Sequence, residues 1–102
     1  MALVEFSMFP VDKGESLSRY VARSLEIVDR SGLNYQCHAM GTILEGELDR
    51  ALKVIQQCFQ TMAADCHRIE CSIKIDYRQG RQDELRAKIA SVEQKLGHEV
   101  RK

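Results

Sequence analysis

The segment from residue 40 to residue 47, MGTILEGE, holds the residue types best suited to binding a small molecule. Gly41 and Gly46 have no side chain, so the backbone there can approach a ligand closely. Thr42 can both donate and accept hydrogen bonds, and Glu45 can pair with a cation or an amino group. An ordinary hairpin with a glutamate on its surface has the same pattern, so the residues alone leave both interpretations open.

Ser7 is a further candidate for the same ligand. It lies in an alternating apolar segment, where an inward hydroxyl needs a hydrogen-bond partner and an outward one needs none. The residue types alone therefore point to Ser7, Gly41, Thr42 and Glu45.

The motifs of the common enzymes are absent from the sequence. No glycine-rich phosphate loop follows a predicted strand, and neither a GxSxG elbow nor an HExxH helix occurs. Cys37 and His38 are adjacent, but neighbouring strand residues point to opposite faces and cannot share a proton. We therefore expect a protein that is not an enzyme and has no catalytic residues.

Charge and cysteine content limit the classes of partner that we expect. The 15 Lys and Arg balance the 15 Asp and Glu, whereas nucleic-acid binders usually carry a basic excess. The first apolar run is interrupted by Glu5, which predicts neither a leader peptide nor a membrane span. The spacing of the four cysteines matches no zinc pattern. We expect a cytoplasmic protein with reduced thiols, no metal, no nucleic-acid partner and no membrane contact.

The 102 residues are enough for a single domain spanning 1–102, and hydrophobic periodicity predicts seven elements in it. Ser16 is the predicted N-cap of the first helix, and Gly32 its end. The predicted strands span 3–9, 35–39, 42–45 and 69–78. The apolar stripes of the three predicted helices run over 17–28, 48–62 and 85–96.

This order contains two βαβ halves, which with right-handed crossovers give an antiparallel sheet with two helices on one face. The fold class is therefore α+β, a ferredoxin-like βαββαβ sandwich with an additional C-terminal helix. The uncovered face must meet water or another subunit, and the third helix either closes the fold or packs against a neighbour. The last strand exceeds the usual five or six residues, so its outer part is a candidate for pairing with another chain.

Seven short motifs follow one another along the chain: EFS with Pro10, Ser18 with YVA, SGL with Tyr35, MGT, EGE, IKID with Arg78, and SVE with KL. Together they resemble the thiamine-binding-protein family, long described as uncharacterised. The resemblance runs from Leu3 to Leu96. It departs from the family pattern at Ala39, where a proline often precedes Met-Gly-Thr, and at Tyr77, where an aspartate is frequent.

The resemblance implies binding of thiamine or its hydroxymethylpyrimidine part without catalysis, in a role such as thiamine transport or salvage. It also implies homodimers with joined sheets that assemble to a homotetramer. In such a site Ser7, Thr42 and Glu45 would supply hydrogen bonds and charge. Phe9 and Met40 would supply apolar or aromatic contact, although such residues more often belong to a core or an interface. The predicted binding residues are therefore Ser7, Phe9, Met40, Gly41, Thr42 and Glu45. A structural or regulatory homo-oligomer with no small-molecule ligand is the alternative.

Overall fold

A computed structural model describes residues 1–80 and 83–101. The predicted α+β class is confirmed, because the chain forms a four-stranded antiparallel sheet with the element order β-α-β-β-α-β and a further C-terminal helix. The strands are β1 (Ala2–Pro10), β2 (Asn34–His38), β3 (Gly41–Gly46) and β4 (Ile69–Tyr77), and the helices are α1 (Ser18–Ser31), α2 (Leu48–Ala63) and α3 (Glu84–Leu96).

The sheet has the order β2-β3-β1-β4, with every neighbouring pair antiparallel. Side chains of β1 alternate between buried and half-buried, so Val4, Phe6 and Met8 face helices α1 and α2. Leu3, Glu5, Ser7 and Phe9 point to the other side, which we call the open face. Burying one face of the sheet under two helices gives the chain a single core.

The core lies between β1, β3 and the inner faces of α1 and α2. Its largest fully buried side chains include Tyr20, Leu44 and Met62. The expectation that thiols act as small core hydrophobes holds for Cys58 and Cys66, which are buried, whereas Cys37 and Cys71 are exposed. All four of these cysteines are free thiols.

The predicted N-cap of α1 is wrong. The cap position is occupied by Leu17, and no side chain makes a capping hydrogen bond. The reason is that Leu17 packs against the core, while its carbonyl oxygen accepts hydrogen bonds from the backbone of Tyr20 and Val21. Burial of an apolar side chain therefore sets the start of the helix.

Helix α3 lies against the open face of its own chain. The backbone N–H of Leu85 donates to Oε2 of Glu45 at 3.2 Å, and Nζ of Lys88 forms an ion pair with Asp76 at 2.5 Å. Leu85 and Ile89 are half-buried, whereas Val92 and Leu96 are exposed. The sequence left two places open for this helix, and the structure supports closing of the fold.

Candidate functional site

Strand β1 is longer than its neighbour β3, and this leaves a gap in the sheet. The β1–β3 ladder ends at the pair Phe6 and Thr42, whereas the β1–β4 ladder continues to Pro10. On its β3 side, β1 therefore has no strand neighbour beyond Phe6 within the described ladders. We call this gap the hairpin notch, because the β2–β3 hairpin turn at residues 39–40 borders it.

A cavity of about 310 Å³ occupies the hairpin notch. This volume lies at the lower end of the range typical of ligand pockets, roughly 300–1,000 Å³. Three elements form its walls: helix α1, the end of β1 and the β2–β3 hairpin. The cavity is lined by Phe6, Ser7, Met8, Phe9, Leu17, Val21, Ser24, Leu25, Cys37, His38, Ala39, Met40, Gly41 and Thr42.

The hairpin approaches β1 closely at Gly41. A Cβ atom built on Gly41 would lie 2.8 Å from the carbonyl oxygen of Phe6, closer than real side chains come to such an atom. Glycine is thus required at this position because β3 packs closely on the backbone of β1. The φ angle of Gly41 is not the reason. Gly41 keeps the end of β3 in register while the turn beyond it leaves the cavity open.

His38 ties the hairpin to the open face of the sheet. Its Nε2 lies 3.2 Å from Oε2 of Glu5, and its Nδ1 accepts a hydrogen bond from the backbone N–H of Met40 at 3.3 Å. Because Nδ1 is an acceptor in this arrangement, Nε2 carries the proton that is shared with the carboxylate. The contacts fix the turn beside the cavity and leave the side chain of Met40 exposed.

Helix α1, which forms one wall, is held in place by an ion pair to the end of α2. The guanidinium of Arg23 donates two hydrogen bonds to Asp65, at 2.8 and 2.9 Å. These bonds lower the pKa of Asp65 from its usual 3.8 to about 2. A bidentate pair of this kind adds a directional contact between α1 and the segment that follows α2.

The structure brings five of the six predicted binding residues to one cavity. Ser7, Phe9, Met40, Gly41 and Thr42 all line the notch. Thr42 faces the helices and is only 5% exposed, whereas Ser7 belongs to the open face, so the gap in the sheet admits side chains from both faces.

Glu45 lies elsewhere. It pairs with Leu3 in the β1–β3 ladder, which places it on the open face. Only 4% of the residue is exposed, and its carboxylate accepts the hydrogen bond from Leu85 at the first turn of α3. A carboxylate suits a helix N-terminus, where the backbone N–H groups carry partial positive charge. The geometry therefore gives Glu45 a structural contact and places it away from the cavity.

Sequence reasoning missed the wall contributed by α1. Leu17, Val21, Ser24 and Leu25 follow the helical stripe that predicts core packing. The stripe does not indicate where β3 begins relative to α1. No pattern in the sequence therefore separates these wall residues from the core. Cys37 also lines the cavity on the face opposite to His38, as strand alternation predicts.

The cavity lining carries no Asp, Glu, Lys or Arg among the residues that the structure describes. Its polar groups are the hydroxyls of Ser7, Ser24 and Thr42, the thiol of Cys37 and the imidazole of His38.

Across residues 1–80 and 83–101 no group of three or more His, Cys, Asp or Glu could hold a metal ion. Among the same residues, no helix is long and apolar enough to cross a membrane.

Comparison with protein families identifies the chain's relatives. The family model described as thiamine-binding protein matches residues 4–93. The chain belongs to this family. Curated relatives of this family member include the UPF0045 protein MJ1052 of Methanocaldococcus jannaschii, which is 34% identical over 90 residues, 88% of this chain and 90% of that protein. The UPF0045 protein Mb1933 of Mycobacterium bovis is 36% identical over 95 residues, 92% and 93% of the two chains.

Solved structures of relatives share the fold. The crystal structure of MJ1052 superposes with a TM-score of 0.83, covering 89% of this chain and 94% of that one. A Thermotoga maritima protein described as a candidate for thiamine biosynthesis or salvage superposes with a TM-score of 0.77 at 20% identity, over 89% of this chain and 97% of its own. At that identity the second likeness supports the fold alone. The predicted family membership is confirmed.

Proposed function

We propose that the protein binds the aminopyrimidine part of thiamine, or free hydroxymethylpyrimidine, in the hairpin notch without transforming it. The observation that carries the proposal is the cavity itself, which five of the six residues predicted from sequence line together. The family's description as thiamine-binding supports the same ligand class, and it names binding and no reaction. A role in thiamine transport or salvage would follow from such binding.

The chemistry of the cavity suits the pyrimidine ring better than the thiazolium ring of thiamine. An aminopyrimidine edge needs donors and acceptors, which the hydroxyls of Ser7 and Thr42 supply. Its flat apolar faces can contact Phe9 and the aliphatic side chains of α1, which line the same cavity. A thiazolium cation is best stabilised by carboxylates or aromatic faces, and the described lining holds no carboxylate. We therefore place the thiazolium of bound thiamine towards the mouth of the cavity, in water.

Isothermal titration with thiamine and with hydroxymethylpyrimidine tests this proposal. Because Thr42 is buried beside the cavity, we expect Thr42→Val to weaken binding of both compounds by about five- to thirtyfold, as loss of one buried hydrogen bond of about 1–2 kcal/mol would. Thr61→Val is the matched control, since it makes the same change on the exposed side of α2. An absence of heat with either compound from folded protein would refute the assignment.

Glu45 provides the test of where the ligand lies. The sequence predicts that Glu45 contacts the ligand, whereas the proposed site in the notch does not include it. We expect Glu45→Gln to leave the affinity within about twofold of the wild type. If Glu45→Gln abolishes binding and Thr42→Val does not, the ligand lies on the open face beneath α3 and the notch is the wrong site.

Cys37 offers an independent readout. Its thiol is exposed and lines the cavity, so an occupied notch should slow its reaction with a thiol reagent. In a Cys71→Ser background, where Cys37 is the exposed thiol that remains, saturating hydroxymethylpyrimidine should slow labelling several-fold. Unchanged labelling at a ligand concentration that gives full heat in titration would place the ligand outside the notch.

We also propose that the protein forms a homodimer that assembles to a homotetramer. The observation that favours self-association is β4, an edge strand of nine residues with apolar side chains left in water. Light scattering across a concentration series tests it, and a monomer at every concentration would refute it. We further propose a cytoplasmic location, which the four free cysteines support because disulfides are rare in that compartment.

A further inference from the structure

The part of β1 that borders the hairpin notch has main-chain groups whose direction follows from the sheet. In an antiparallel pair, the N–H and C=O of one residue point to the same neighbouring strand, and those of the next residue point to the opposite side. The N–H of Val11 donates to the carbonyl of Arg68 at 2.8 Å, one pair beyond the end of the β1–β4 ladder. The odd-numbered residues of β1 therefore direct their main-chain groups to β4.

Met8 consequently directs its N–H and C=O to the β3 side of β1. The carbonyl oxygen of Phe6 points the same way, since it lies 2.8 Å from a Cβ atom built on Gly41. Opposite Cys71 of β4, Met8 thus occupies a pair that exchanges no hydrogen bonds. The β1–β3 ladder ends at the pair Phe6 and Thr42. In the described sheet, no strand lies on the side to which the main-chain groups of Met8 point.

The hairpin does not supply the missing partner. If the ladder continued, Met40 would face Met8, but the N–H of Met40 donates to Nδ1 of His38 at 3.3 Å. Among residues 1–80 and 83–101, no side chain or loop forms a hydrogen bond with the main chain of Met8. Only 6% of Met8 is exposed, and buried main-chain groups are almost always hydrogen-bonded. Its N–H and C=O therefore point to a polar partner inside the cavity, which Met8 lines.

We infer that the N–H and C=O of Met8 bind the amino-substituted edge of the pyrimidine, in the place that a longer β3 would occupy. The N–H donates to the ring nitrogen beside the exocyclic amino group, and the C=O accepts a hydrogen bond from that amino group. The inference rests on the proposed function and specifies its ligand class. The ligand must carry an acceptor nitrogen directly next to an amino donor.

This main-chain pair selects a ligand more strictly than the hydroxyls of the same cavity. The hydroxyls of Ser7, Ser24 and Thr42 both donate and accept, so they tolerate an exchange of donor and acceptor on the ligand. The N–H of Met8 only donates, and its C=O only accepts. A ligand with the reversed pattern would leave both groups unpaired, and a buried site discriminates strongly against such a ligand.

The direction of β1 also sets the orientation of the bound ring. The N–H of Met8 lies towards Ser7, and its C=O lies towards Phe9. The methyl-bearing carbon beside the bound ring nitrogen therefore faces the end of β3 at Thr42. The carbon on the other side of the amino group, which carries the thiazolium in thiamine, faces along β1 away from β3. This orientation agrees with a thiazolium at the mouth of the cavity.

Thiamine and oxythiamine test the ligand edge. In oxythiamine an oxo group replaces the amino group, and the neighbouring ring nitrogen carries a hydrogen, so donor and acceptor are exchanged. A ring that turned over would restore both hydrogen bonds, but it would direct the thiazolium at the end of β3. We expect oxythiamine to bind roughly tenfold more weakly than thiamine or worse in isothermal titration. Equal affinities would overturn recognition by Met8 and favour the hydroxyls.

Amide hydrogen exchange, followed by NMR, tests Met8 itself. Phe6 and Ser7 are the matched controls, because their N–H groups point to β3 and β4 within the two ladders. Relative to the intrinsic rates, we expect the N–H of Met8 in the free protein to exchange roughly tenfold faster than either control. Saturating hydroxymethylpyrimidine should slow Met8 by roughly tenfold more than it slows the controls.

The outcomes separate this inference from the proposed function. An absence of heat with every compound would refute the proposed function and the inference together. Heat with hydroxymethylpyrimidine, but no extra slowing of the Met8 amide, would overturn the inference and leave the proposed binding in place. A Met8 amide that is already as protected as the controls in the free protein would also overturn the inference alone, because its N–H would then have a partner.

Discussion

Replacement of Gly41 by alanine should destabilise the fold by about 1–2 kcal/mol. The added Cβ would meet the carbonyl oxygen of Phe6 at 2.8 Å, and this oxygen is part of the central strand. Overpacking of a tight site costs about 1–3 kcal/mol. Replacing glycine also restricts the unfolded chain, which returns about 0.4–1 kcal/mol. The midpoints of these two ranges differ by about 1.3 kcal/mol, which lies within the expected loss.

Gly46→Ala is the matched control on the same strand. Its Cβ would also approach an atom at 2.8 Å, but that atom is Cδ2 of Leu33, the end of a side chain that can rotate. We expect Gly46→Ala to change the free energy of unfolding by less than about 1 kcal/mol, because the gain in the unfolded state offsets a small rearrangement.

Urea denaturation followed by circular dichroism measures both variants. In a domain of this size each kcal/mol shifts the melting temperature by roughly 4–8 °C, so thermal melts give a second value. If Gly41→Ala is as stable as Gly46→Ala, the backbone contact at the hairpin does not constrain β3. The explanation of the notch by close packing at Gly41 would then be wrong.

Three further outcomes follow from contacts described above. The pKa of Asp65 is lowered to about 2 in the fold by Arg23 and is about 3.8 when unfolded, so its stabilising effect is present above pH 4 and lost as the pH falls towards 2. The melting temperature of Asp65→Asn should therefore change less with pH in that window than the melting temperature of the wild type. An equal change in both proteins would refute a stabilising role for the Arg23–Asp65 pair. Glu45→Gln should make α3 more sensitive to limited proteolysis, because it removes a charged acceptor at the first turn, and an unchanged cleavage rate would contradict this. Burial raises the pKa of the Cys58 thiol to about 11, so mass spectrometry at pH 8 should find Cys58 labelled well after Cys37.

Much of the fold follows from periodicity in the sequence. The alternation of β1 and the apolar stripe of α2 predict these elements to within one or two residues, because one face of each is buried. The start of α1 is harder to predict from the sequence, since burial of Leu17 overrides the capping preference of Ser16. The place of α3 depends on Glu45 and Asp76, two contacts that no local pattern encodes.

The candidate site was predictable in part. Thr42 and Glu45 are three positions apart on one strand, so alternation alone places them on opposite faces, and the sequence held enough information to separate them. The same rule correctly separated Cys37 from His38. The α1 wall of the cavity could not be predicted, because the wall depends on where β3 begins relative to β1.

The notch exists because strand β3 begins at Gly41 while β1 continues for four residues beyond Phe6. The volume of the cavity is thus governed by the length of the β2–β3 hairpin, whereas the side chains around it govern only which groups a ligand meets. Extending the hairpin by two residues on each strand would preserve every face and let β3 pair with β1 as far as Met8. Hairpin insertions and deletions therefore offer a route by which this fold could gain or lose its cavity with the core unchanged.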